Sequence, residues 1–85
     1  MSDCTPQIAR FMQSQFLVTF DGQRVTPTTN LFESGHLDSF GFVELITFLE
    51  REFAITFSDE DLLSNRLNSL AGVAALVQEK LRHGR

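Results

Sequence analysis

The sequence predicts an all-α bundle of three long helices and one short third helix, with a long loop after the first. Three observations carry this expectation. Apolar residues recur at helical spacing in three separate stretches of the 85-residue chain. Capping and turn residues stand at the ends of those stretches. No stretch alternates as a half-buried strand would, and 53–57, which could read as a short strand, has no partner strand to pair with.

The elements follow in chain order. Thr5-Pro6 reads as an N-cap followed by proline in the first turn, and Ile8, Phe11, Met12 and Phe16 continue at helical spacing. This predicts a helix over 6–17, closed by the turn pair Asp21-Gly22. Residues 21–30 contain Gly22, Pro27 and three threonines without apolar period, and are expected to be a loop. Leu31 and Phe32 are expected to anchor its end in the core. The strongest pattern runs over 39–53, where Phe42, Leu45, Ile46, Leu49 and Phe53 form one stripe and Asp38 or Ser39 can cap the start. Ser58 to Asp61 has the form of a capping box, with Asp in place of the usual Glu or Gln, and predicts a short helix. A last helix starts near Asn68 or Ser69, with Leu70, Val73, Ala74, Val77 and Leu81 on its apolar face and Lys80, Arg82 and His83 at its cation-favouring end. The expected core is Ile8, Phe11, Phe16, Phe32, Leu45, Leu49, Phe53, Val73, Val77 and Leu81.

Composition narrows the function. Residues 1–85 are enough for one domain. All nine aromatics are phenylalanine, which needs no polar partner when buried, so they suit a core better than a stacking platform. Net charge is -4, and between His36 and Asp61 seven acids face the single base Arg51. Such a surface repels phosphate backbones and argues against a nucleic-acid partner, while it attracts basic protein surfaces. The single cysteine, Cys4, rules out an internal disulfide and reads as a chance residue in a loose terminus. With no apolar run of membrane length and no secretion signal, a cytoplasmic monomer is expected. His36, Asp38 and Ser39 are too close in sequence to form a hydrolase triad, and no strand precedes the serine. Asp59-Glu60-Asp61 lacks the ligand spacing of a calcium loop, and no metal site is expected.

One constellation points to a function. Ser39 opens the best helix in the chain, after a glycine turn and beside Asp38, at a helix N-terminus that favours phosphate. The stretch from Leu31 to Leu45, with its apolar pair, its Gly35 turn, Leu37-Asp38-Ser39-Phe40 and an acid five residues past the serine at Glu44, resembles the attachment motif of acyl and peptidyl carrier proteins. The likeness extends through 49–53 and 55–61 and covers roughly 5–81.

The resemblance implies an acyl-carrier-protein-like bundle that is not itself an enzyme. Ser39 matches the serine that receives covalent phosphopantetheine from coenzyme A. Asp38 matches the acid near the magnesium used by the phosphopantetheinyl transferase. Phe40, Glu44, Glu50 and Glu52 match positions that face partners, which would be that transferase and the ligases, synthases or transferases that load and unload an acyl or aminoacyl thioester. Phe40 replaces the commoner Leu. Gly41 stands where fatty-acid carriers often have Asp, costs about 1 kcal/mol of helix propensity relative to Ala, and points away from the ordinary fatty-acid enzymes. The pattern from Leu31 to Ser39 looks somewhat like free-standing carriers of amino acids. The crowd of Phe40, Phe42, Phe48, Phe53 and Phe57 suggests a filled interior, and hence short, polar or aminoacyl cargo over a long chain. The alternative is a helical interaction module whose acidic face binds a partner without any prosthetic group.

Overall fold

The computed structural model describes residues 4–20 and 25–82. Among them lie four α-helices, α1 (Thr5–Phe16), α2 (Ser39–Phe53), α3 (Asp59–Leu62) and α4 (Leu70–Arg82), with a 3-10 turn at Asn65–Asn68 between the last two and no strand. The expected order of long, long, short and long helix is therefore observed. The turn pair Asp21-Gly22, the first part of the expected loop and His83 lie outside the described residues.

α1 begins one residue earlier than expected. Cys4 takes the N-cap position with helical backbone and no side-chain cap, so Thr5 is already inside the helix. The terminus is not loose there: Cys4 is buried, and its Sγ lies 3.7 Å from the carbonyl oxygen of Ala74 on α4. Ile8 and Met12, four residues apart, are fully buried and form the inner edge of α1. The helix ends at Leu17, an exposed residue in the left-handed region with φ of 55°.

The connection from α1 to α2 looks structureless in sequence, yet Val18, Val25, Leu31 and Leu37 are all buried in the core. Backbone bonds tie it to the far end of the bundle. Leu31 N–H donates to Asn68 O at 2.7 Å, and Ala71 N–H donates to Pro27 O at 2.8 Å. Asn30 Oδ1 accepts from the amides of Phe32 and Glu33, which closes a tight turn. That turn separates the expected pair of anchors. Leu31 points inward, whereas Phe32 is 41% exposed and meets the ring of Phe42 at a tilt, with centroids 5.8 Å apart.

The remaining corrections concern the end of the chain. Leu81, expected in the core, is 41% exposed in the last turn of α4, and Leu76 on the flank of the stripe is buried instead. The 3-10 turn went unpredicted. It lies so close to α4 that a Cβ on Gly72 would stand 2.0 Å from Arg66 O, so only glycine permits the contact. Arg66 then reaches forward to hold Glu79 with two hydrogen bonds of 3.0 and 2.5 Å, which keeps its guanidinium protonated beyond the ordinary range.

Candidate functional site

The head of α2 is built by the three residues before it. Leu37 is buried and fixes the approach. Asp38 is extended, with φ of -123° and ψ of -176°, and its carboxylate accepts from Gly41 N–H at 2.7 Å. This is the expected N-cap, and Asp38 rather than Ser39 supplies it. Ser39 is thereby left as the first helical residue, exposed, with its hydroxyl free of the capping task. The first amides of any helix lack intrahelical acceptors and, with the helix dipole, favour a negative group at this end. A phosphodiester on Ser39 fits here: nothing encloses the hydroxyl, and the adjoining carboxylate is occupied by the backbone.

The residues expected to face partners separate into two groups. Phe40, 74% exposed, Glu44 and Glu52 are all on the outside of α2. Glu50 is half-buried and otherwise engaged, since its Oε2 accepts from Phe57 N–H at 2.9 Å and holds the α2–α3 connection. Sequence reasoning passed over Val43, which is 62% exposed and stands one turn beyond Ser39 and Phe40 on the same face. Exposed Leu63 at the end of α3 was also passed over.

Between α2 and α3 runs an apolar cleft of about 210 Å³ lined by Phe42, Val43, Ile46, Thr47 and Leu62. The phenylalanines do not fill it as expected. Phe40 points to solvent, and Phe48 stacks on Phe11 of α1 at 3.9 Å, so only Phe42 borders the cleft. Across from it, α3 is fastened to α4. Ser58 and Asp61 form the reciprocal capping box, with bonds of 2.8 and 3.2 Å. Lys80 Nζ sits 2.6 Å from Asp61 Oδ2 and over the ring of Phe57. The bond from Lys80 and then the amide of Ser58 hold the Asp61 carboxyl below its usual range. Among the described residues no three of His, Cys, Asp and Glu come together as a metal site.

The described residues thus form a small helical bundle that presents an exposed serine at the head of its second helix. The chain matches the family described as "Phosphopantetheine attachment site" over residues 10–77 and belongs to that family. It is therefore a carrier for covalent phosphopantetheine, and a carrier rather than a catalyst. A comparison with curated proteins finds no match. Among the described residues no helix is long and apolar enough to cross a membrane.

Proposed function

We propose that Ser39 is the attachment residue and that the protein carries an acyl or aminoacyl group for partner enzymes of a biosynthetic pathway. The observation that supports this most is the exposed Ser39 hydroxyl at the first position of α2, freed from capping by Asp38, within the matched span. In the transfer, Ser39 Oγ bonds to the phosphorus of coenzyme A that bears the pantetheine. The diphosphate bond breaks, the nucleotide half leaves, and the hydroxyl proton passes to a base of the transferase. The arm, when bound, supplies a terminal thiol on which cargo is held as a thioester.

The chain's own residues orient and present. Asp38 and Leu37 fix the first turn, and Phe40, Val43 and Glu44 offer one apolar and acidic face to a basic transferase or ligase. Asp38 lies beside the hydroxyl where a transferase would hold its magnesium. We place the protein in the cytoplasm as a monomer, in keeping with its acidic charge and lack of apolar runs. The cleft between α2 and α3 favours cargo with a short apolar portion over a purely polar one, because its lining is nearly all carbon.

Incubation with coenzyme A, magnesium and a broad-specificity transferase should add one phosphopantetheine mass to the parent and none to Ser39→Ala. Modification of Ser39→Ala would overturn the assignment. An unmodified parent across several transferases would favour the interaction-module reading instead.

A further inference from the structure

We propose that Gly41 is a positioning residue for Ser39: the missing side chain leaves the space in which the ring of Phe16, at the end of α1, lies against the first turn of α2. The inference rests on the reading of Ser39 as the attachment serine. A Cβ on residue 41 would stand 3.1 Å from Phe16 Cε1, 3.2 Å from Leu37 Cδ1 and 3.3 Å from Asp38 Oδ1. A single contact of that kind is relieved by one side chain giving way. Here three parts of the chain close on the same point: the end of α1, the buried residue before the cap, and the cap itself.

Each of the three is held by a neighbour of its own. Leu37 is 4% exposed. Asp38 Oδ1 is held by the very amide of Gly41, at 2.7 Å. Phe16 meets Phe11 edge-on, with centroids 5.7 Å apart and planes at 89°, and Phe11 stacks on Phe48 at 3.9 Å and 11°. The rings form a row along the seam between α1 and α2, and Gly41 is the stop at its end. Displacing Phe16 therefore pushes on the whole row, and close-packed interiors transmit such strain.

Helix propensity alone would put almost any other residue here, since glycine inside a helix is disfavoured. The close contact explains why a bare backbone serves instead. It sets how far the first turn of α2 stands from α1, and the exposed hydroxyl two residues earlier takes its position from that turn. Docking contacts at Phe40, Val43 and Glu44 are on the outer face and are not part of this packing.

Steady-state phosphopantetheine transfer to the full chain tests this. For Gly41→Ala, kcat should fall about tenfold while KM moves less than about threefold, as expected when a nucleophile is misplaced on an intact docking face. Adding Phe16→Leu should restore most of the loss, because the smaller side chain vacates the space. Parent-like kcat in Gly41→Ala, or no recovery in the double variant, would overturn the proposal. Phe16→Leu alone supplies a reading should Gly41→Ala not fold. Amide exchange at Gly41, the bond that Asp38 holds, should then quicken about tenfold, and an unchanged exchange rate would overturn it. A parent that is never modified, with Gly41 exchange still sensitive to Phe16→Leu, would remove the serine assignment and leave the packing role in place.

Discussion

α2 meets its neighbours along two seams of opposite character. Toward α1 the inner seam is filled by the aromatic row of Phe11, Phe16 and Phe48, with Leu45 and Leu49 fully buried, and the grooves of about 290 and 390 Å³ on its outer side are edged by polar residues such as Gln15 and Glu52. Toward α3 it is open, with an apolar cleft of about 210 Å³ and exposed Val43 and Leu63 on either side. α3 is held by the Lys80–Asp61 pair, by the Glu50 bond to Phe57 and by the burial of Phe57 just ahead of it, while the capping box closes its own first turn. The contrast teaches that the number of phenylalanines on a helix says little about which of its sides they fill. Aromatic packing fills the inner side toward α1, while a few directional bonds and the burial of Phe57 keep α3 in place without filling the cleft beside it.

Truncation should break the comparison most visibly. Leu49→Ala should cost about 2–5 kcal/mol, since it opens a cavity on the closed side. Leu62→Ala on the open side should cost less, about 1 kcal/mol, because Leu62 is only partly buried against the core and borders the cleft. Chemical denaturation of both variants measures the difference, and equal losses would mean that the two seams are packed alike.

The polar fastening of α3 should show a smaller effect with its own pH signature. Asp61→Asn should destabilise by about 1 kcal/mol at neutral pH, as expected for one partly exposed ion pair. The folded state holds the Asp61 carboxyl below its usual range, so its contribution is whole above the unfolded value of about 3.9 and disappears as pH falls through the lower folded value. Thermal melts should therefore lose stability more steeply below about pH 4 in the parent than in Asp61→Asn. Identical profiles would remove Asp61 from the acid response.

The smallest effect sharpens the comparison without a mutation. Loading an octanoyl group should shift the methyl and ring resonances of Phe42, Ile46 and Leu62 more than those of Phe11 and Phe48, whereas an aminoacyl load should shift neither set. An octanoyl group that leaves Ile46 and Leu62 unmoved would return the cargo to the short polar kind.

Much of this was legible in the sequence where the signal is local. α2 is read off its stripe to the residue, because fifteen residues repeat one period. The short α3 is read off Ser58 and Asp61, whose reciprocal bonds span only three residues. The exposed serine beside Asp38 follows from the same kind of neighbourhood. What escaped depends on distant pairings. The burial of Val18 and Val25 has no period to announce it, and although Leu31 is expected as an anchor, its backbone bond to Asn68 joins distant parts of the chain. Glu50 reads as a surface acid until Phe57 turns back to meet it. The Phe16–Gly41 contact joins residues 25 apart through the absence of an atom, which no propensity scale registers.

The position of Cys4 bears on the chemistry of the arm. Phosphopantetheine, the group this family carries, ends in a thiol, and thiols exchange with accessible thiolates or disulfides nearby. The chain's single cysteine is packed 4% exposed against α4, with its Sγ 3.7 Å from Ala74 O. The folded protein thus keeps its one thiol packed away, and exchange of cargo or of a disulfide between the arm and Cys4 would first require the start of α1 to come away from α4.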